Sequence, residues 1–440
     1  MWTVIGIVLF LLALLFSIAW HELGHLSFAK LFNVRTTQYM IGFGKTLWSK
    51  RVGETEYGFK AIPLGGYIRM IGMVPPGADG RQKISTTAMG AAGMVRNIVE
   101  ETREGDRSQV TAADEGRQFY QLHPAKRIVV MAAGPLMNLI LAVGIFGILM
   151  VGIGVPTPST TVATVSQCVI PAAAAGTAQQ TDCGPADPQT PAALAGLLPG
   201  DQIVAFDGAA VTSWAQLTGL IQNSAGATVQ LTYVRAGEQV TKAIPIVENQ
   251  RAVLDDLGNQ IGVKQAGFLG VSVTSPYVAQ SFGAAVTRTG DFIGAAAKAV
   301  VAIPARIPAL FGAIFNDAPR DLNSPVGIVG AGRIGGEILD SESTSTTDKW
   351  VLFLNLIAGF NMSLFLLNML PLLPLDGGHI LGAMIEWVKK GYARFRGKAD
   401  PGPFDVAKLM PVAYVVALLF LGLTALTFIA DIVNPVKLFG

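Results

Sequence analysis

Trp20-His21-Glu22-Leu23-Gly24-His25 closes an apolar run that starts at Met1, and the rest of the chain is read outward from it. No ionisable side chain precedes His21. About 20 residues at helical rise cover roughly 30 Å, enough to cross a bilayer. If the helix continues through the motif, His21 and His25 stand at i and i+4 on one face. Two imidazoles so spaced can hold one zinc ion, with Glu22 beside it to activate an attacking water. With four His and twelve Glu in 440 residues, a shuffled chain would give H-E-x-x-H roughly 0.001 times. The plainer alternative is a helix end with interfacial His and Glu; such groups at a membrane boundary are costly and usually functional.

Composition agrees with a membrane chain. It is 51% hydrophobic and 14% charged, with mean hydropathy +0.48. The net charge of +2 is uninformative, because the charge is unevenly distributed; no nucleic-acid partner is expected. The first segment lacks a basic n-region, and cleavage would fall near the motif, so residues 1–31 read as a retained anchor helix.

Three more apolar stretches follow: Ile128 to Val155 within 126–155, Trp350 to Leu373 within 350–378, and 411–430. Four transmembrane helices are expected. Segment 281–316 is apolar but broken by Asp291, Lys298, Pro304, Arg306 and Pro308, and reads as interfacial amphipathic helices. From Lys30 to Arg127 there are 15 Lys/Arg against 9 Asp/Glu; between Gly154 and Asp348 there are 9 against 15. The positive-inside rule therefore puts 30–127 and 374–410 in the cytoplasm and both termini outside.

Residues 36–75 alternate short β-prone runs with Gly and Pro turns, including Gly42-Phe43-Gly44 and Pro63-Leu64-Gly65-Gly66, and predict a small β-meander beside the first helix. Gly44-Lys45-Thr46 is no phosphate loop, because Tyr39 stands where its first glycine belongs. The stretch within 76–125 is polar and reads as a solvated insertion, with one helix expected near Met89 to Thr102. Residues 160–250 predict a compact α+β domain. Its strands are Thr161–Val165, Gln202–Phe206, Val229–Arg235 and Gln239–Ile246; its helices are Thr190–Leu197 and Ser213–Asn223. The G-x-G-x-x-G within Gly327–Gly335 leaves no room for a βαβ unit and is rejected as a dinucleotide site.

The third span ends Asn368-Met369-Leu370-Pro371-Leu372-Leu373-Pro374-Leu375-Asp376-Gly377-Gly378-His379. The prolines stop the helix, and Asp376 then lies at the depth of His21 and His25 if both spans run the same way. Two His and one carboxylate, with a position left open, describe a catalytic zinc site. His379 reads as a neighbour of the site or a surface residue, with a fourth ligand as the alternative, and His123 as a residue of the cytoplasmic loop without a role in the site. Asn138, inside the second span, needs a partner within the bundle.

These parts together resemble the site-2 family of intramembrane zinc metalloproteases, in its bacterial PDZ-bearing branch. The resemblance rests on His21-Glu22-Leu23-Gly24-His25, Gly134-Pro135-Leu136-Met137-Asn138, Pro191 to Gly208, and Asn368 through Leu375-Asp376-Gly377. It implies that Asp376 is the third zinc ligand, that Glu22 is the base, and that Asn368 helps position substrate or stabilise the oxyanion. It implies too that 36–71 is a re-entrant β-loop pairing with extended substrate, with Gly42, Phe43, Gly44, Gly65, Gly66 and Asn138 as substrate-binding residues, and that the α+β module is an extracytoplasmic PDZ domain. Where relatives tend to carry a second Asn, this chain has Ser363, with Asn361 nearby.

The expected function is therefore zinc-dependent hydrolysis of a peptide bond in the membrane helix of single-span proteins, such as anti-sigma factors already trimmed by an upstream site-1-type protease, in a bacterial inner membrane. A catalytically silent PDZ scaffold or chaperone is the rival; intact Glu22 and all three ligands weigh against it. A zinc-dependent transporter is weaker, since no internal repeat appears. Cys168 and Cys183, the only cysteines, fall in the segment read as outside the membrane and are expected to form a disulfide; two free thiols are the alternative. Closing a loop of about 15 residues would contribute roughly 3 kcal/mol.

Overall fold

The computed structural model describes residues 1–76, 110–111, 114–172, 182–254, 260–316, 320, 324–436 and 438. Contacts divide it into two compact units, Met1–Gly147 with Val286–Gly440, and Ile148–Ala285.

In the first unit α1, Trp2–Leu31, is one unbroken helix through the motif. Two long strands follow, β1 (Thr36–Val52) and β2 (Thr55–Met70). Each folds back on itself. Residues 38–41 pair on one side with 66–69 and on the other with 56–59, while 48–52 pair with 55–59. The expected sheet is present, but its neighbour order is not that of a meander, because the first segment lies inside rather than at an edge. Gly42 and Gly44 have φ of 90° and 82°, and Gly65 has 108°. Those values favour glycine and allow the strands to bend sharply.

Helix α2, Pro124–Ile148, carries Pro135 in its interior and runs on as a wider turn through Leu149–Ile153. It runs antiparallel to α1: Trp20 Nε1 donates to Met137 O at 2.9 Å, and His25 Nδ1 lies 2.8 Å from Val130 O. The insertion helix expected near Met89 to Thr102 lies outside the described residues.

The second unit contains β3 (Val155–Pro156), β4 (Val162–Val165), α3 (Pro191–Leu194), β5 (Gln202–Phe206), β6 (Ala209–Ala210), α4 (Trp214–Asn223), β7 (Thr228–Arg235) and β8 (Glu238–Pro245). These match the expected α+β elements to within a few residues. Ser213 and Thr190 cap their helices, accepting from the N–H groups of Gln216 and Ala193. The domain does not stop at 250, however. A hairpin, β9 (Val247–Leu254) with β10 (Gln260–Phe268), follows, and β11 (Val271–Val273) returns to pair with β4. Its core includes Leu269 with Ile203, Leu217, Leu231 and Ile244. The closing strand was missed because three residues carry no periodicity to read. Two-residue β12, Tyr277–Val278, pairs with β3.

Back in the first unit, α5 is a single helix, Phe282–Phe315, with Pro304 and Pro308 inside it. Sequence suggested several broken helices; one continuous helix forms despite both prolines. It is long and apolar enough to cross a membrane by length and composition, as are α1, α2 with its extension, α7 (Thr346–Asn368) and the helical stretch ending in α9 (Met410–Val433), giving five such candidates among the described residues. Between α5 and α7 lies α6, Ile328–Asp340, which contains the rejected glycine motif. Its glycines serve helix packing: a Cβ on Gly6 of α1 would stand 2.5 Å from Gly335 O. After α7 comes α8, Asp376–Phe395, whose buried Glu386 pairs with Arg127 in the first turns of α2.

Candidate metal centre

Three elements meet at His21. Helix α1 supplies His21 and His25 one turn apart. Asp376, the first residue of α8, completes the cluster after a tight turn through Met369–Leu375 that contains a cis Leu373–Pro374 bond. Glycine is required there: a Cβ on Gly377 would stand 2.2 Å from Leu370 O, and one on Gly378 would stand 2.6 Å from Leu373 N. The L-D-G-G sequence thus starts a new helix with the carboxylate at its head, after α7 has ended at Asn368.

The two Nε2 atoms lie 3.2 Å apart, and each is 3.3 Å from Asp376 Oδ2. Tetrahedral ligands about 2.0–2.1 Å from a zinc ion stand roughly 3.3–3.4 Å from one another, so this donor set fits zinc. Among the described residues this is the one cluster of three or more metal-capable side chains, and His379 is not in it. His25 Nδ1 donates to Val130 O, which leaves Nε2 its lone pair for a metal. His25 is buried, and Gly134 makes room for its ring: a Cβ there would stand 2.1 Å from Nε2. Gly24 does the same for the backbones, since its Cβ would meet Ala133 O at 2.5 Å.

Glu22 faces the β-sheet. A Cβ on Gly66 would approach Glu22 Cγ to 3.0 Å and Ile18 Cγ2 to 2.9 Å. Tyr39, on the central segment, donates its hydroxyl to Ala19 O at 2.7 Å. The sheet is therefore tied to α1 two residues before the motif. Phe43 stacks on Tyr67 with ring centroids 6.2 Å apart, and Gly65 is close against the Phe43 ring.

Asn138 does not lie open for substrate. It is fully buried, with Nδ2 3.2 Å from His21 Nδ1 and Oδ1 without a partner. Asn368 is the last residue of α7, eight positions before Asp376. Asn361 donates to Ser17 Oγ of α1 at 2.9 Å and to Ile357 O, whereas Ser363 bonds back to Gly359 O. Asn361 thus holds α7 against α1, and Ser363 is occupied within its own helix. His123 sits away from the cluster, accepting from Ala125 N–H at 3.3 Å and meeting Trp387 edge-to-face. In the other unit the sulfurs of Cys168 and Cys183 are bonded, with Cα atoms 5.8 Å apart.

Sequence reasoning picked out the Gly134-to-Asn138 segment without its reason, and it missed Val130 and Trp20. A carbonyl acceptor leaves no trace in residue identity. The hint in hand was Gly134-Pro135 inside an apolar span, where small residues let helices approach closely.

Residues 9–399 match the family model described as Peptidase family M50. The chain belongs to peptidase family M50. It is similar to the zinc metalloprotease Rip1 of Mycobacterium tuberculosis, 35% identical over 445 residues and covering 99% of both chains. Rip1 of Mycolicibacterium smegmatis is 34% identical over 447 residues, again 99% of each. Metalloprotease MmpA of Caulobacter vibrioides is 27% identical over 403 residues, 88% of each chain. For an M50 peptidase the arrangement has a plain chemical sense: a metal-capable triad, a carboxylate next to it, and a β-sheet beside the carboxylate.

Proposed function

We propose that this M50 peptidase, a multi-pass membrane zinc metalloprotease, holds its zinc on His21, His25 and Asp376 and cuts within or near the membrane helix of single-span proteins. The single observation that carries the reading is the mutual 3.2–3.3 Å spacing of the three donor atoms next to Glu22. Zinc, when bound there, supplies Lewis acidity toward the scissile carbonyl and the attacking water. Glu22 takes the proton of that water and returns it to the leaving amine. Val130 O fixes the His25 ring, and Asn138 lies against His21 Nδ1; with its amide turned over, so that Oδ1 takes the place of Nδ2, it accepts from Nδ1–H and orients the ring. A substrate helix hides its amides in its own hydrogen bonds and must unwind locally. Pairing with the sheet beside Glu22, around Gly65-Gly66 and Gly42-Phe43-Gly44, would hold it extended, with Asn368 near the scissile bond.

Four helices cross the membrane in this reading, and α5 lies along it. Phe292 of α5 stacks on Phe146 at the far end of α2, with centroids 4.7 Å apart. Ala313 O accepts from Asn434, just beyond α9. Helix α2 runs antiparallel to α1, and α9 starts with Ala413 packed against Leu373, beside the Asp376 turn. Phe146 and Asn434 therefore both lie at helix ends remote from His21, so residues 292–313 return to the depth they left. Four spans keep α1 and α7 parallel, as the His21–Asp376 contact requires. The charge distribution puts the active site toward the cytoplasm and the second unit, read as a PDZ domain, outside. That unit would exclude substrates with bulky outer domains, so the reading extends to anti-sigma factors pre-trimmed by a site-1-type protease, in regulated intramembrane proteolysis.

The test is a reconstituted cleavage assay with metal analysis. Glu22→Gln should keep zinc and cleave nothing; His21→Ala or Asp376→Ala should lose both. Full zinc retention in both ligand variants would refute the ligand set. Trimmed substrate should be cut faster than full-length, and equal rates would end the exclusion idea.

A further inference from the structure

Helix α8 does more than deliver Asp376. At about 100° per residue, Leu381, Met384, Val388, Tyr392 and Phe395 fall within about 80° of one another. All five are exposed, from 40% at Leu381 to 87% at Phe395. The opposite face, with Gly382, Ala383, Glu386 and Ala393, is buried. Cations rim the apolar stripe on both sides, with Lys389 and Arg396 along one margin and Arg394 beside Trp387 along the other; all three cations are exposed. An exposed apolar stripe with basic margins is the pattern of a helix lying in a bilayer interface.

Contacts place α8 at that level. Its Glu386 pairs with Arg127, and its Trp387 meets His123; the apolar part of α2 begins immediately after, at Ile128. Between these elements is a cleft of about 540 Å³ whose lining includes Tyr120, His123, Trp387, Lys390, Arg394 and Asp400. Lys390 is engaged by Glu386 at 3.0 Å and Asp400 at 3.6 Å. Arg394, in no ion pair among the described residues, is the cleft's second cation, and the Nε2 edge of His123 lines it beside the donors of Tyr120 and Trp387.

We propose that α8 lies in the membrane interface with its Leu381–Phe395 stripe among acyl chains, and that the cleft beside it takes the phosphate of an anionic phospholipid on Arg394 and His123. Charge complementarity selects the occupant: a protein partner would satisfy the stripe but gives no reason for cations on both margins, whereas an anionic leaflet satisfies both. The inference rests on α2 being a membrane span and not on the peptidase chemistry.

Full-length protein in nanodiscs tests it. Quenching of tryptophan fluorescence by brominated lipid is measured for the wild type and for Trp387→Phe, and the difference isolates Trp387. Quenching several-fold stronger by brominated phosphatidylglycerol than by brominated phosphatidylcholine, in a mixed bilayer, is expected. Arg394→Gln and Arg394→Glu should keep the quenching but abolish the preference. An unquenched Trp387 would assign the stripe to a protein partner and overturn the proposal. Equal quenching by the two lipids would remove the headgroup site. Loss of the preference on adding inorganic phosphate at millimolar concentration would make the cleft a free-phosphate site, which also overturns it.

Discussion

Gly134 of α2 and His25 of α1 are so close that no Cβ fits between them: one built on residue 134 stands 2.1 Å from the His25 Nε2 atom. That atom is the one proposed to face zinc. The metal centre therefore depends on a residue that contributes no side chain.

Gly134→Ala should displace the His25 ring and lower zinc occupancy along with cleavage. A loss of activity of 100-fold or more is expected, since misplacement by about 1 Å costs about that much. Metal content and cleavage rate of the purified variant are the measurements. Normal zinc content with normal rate would show that the ring has space to move.

Asn138→Ala should weaken zinc binding by about 10–100-fold, the range for removing a group that orients a ligating histidine. Chelator competition reads the affinity directly. Asn138→Asp, which keeps an acceptor toward Nδ1–H, should recover part of it. If Asn138→Ala changes KM and leaves zinc affinity untouched, the residue belongs to substrate binding after all.

In the second unit, Arg235 donates from Nε and Nη2 to buried Asp201 at 2.7 Å each, and Leu198 N–H adds a third bond. The Arg235 bonds hold the Asp201 carboxyl below the usual aspartate range against the opposing effect of burial. A carboxyl with a depressed folded-state pKa stabilises above its unfolded pKa, and that stability is lost as pH falls through the folded value. Arg235→Ala should destabilise the unit at neutral pH, modestly because Arg235 is partly solvated. The gap from the wild type should shrink below about pH 4, read by chemical denaturation across pH.

Cys168 and Cys183 should resist thiol labelling in denatured protein until reductant is added. Two reactive thiols before reduction would end the disulfide. Cys168→Ser with Cys183→Ser should cost roughly 3 kcal/mol of stability in that unit, less if the native geometry is strained.

The chemistry was legible in the chain itself, because it is local or nearly so. His21 and His25 share a face at i,i+4 whatever the rest of the molecule does, and Pro371 and Pro374 break the third span just before Asp376; that a new helix starts at Asp376 was not read from the sequence. The long apolar helices other than α5 and most strands of the second unit follow from apolar length and turn residues. What only the tertiary structure decided are relations between distant residues. That Gly134 faces His25, that Val130 O fixes its tautomer and that Asn138 lies on His21 instead of substrate all depend on how α1 and α2 cross. Residues 38–41 became a central strand because β1 and β2 bend at glycines with positive φ, and propensity does not say which neighbours a bent strand chooses. The glycines of Gly327–Gly335 spell a nucleotide motif in sequence and a helix contact in space, because a missing side chain means close approach and only the fold determines to what.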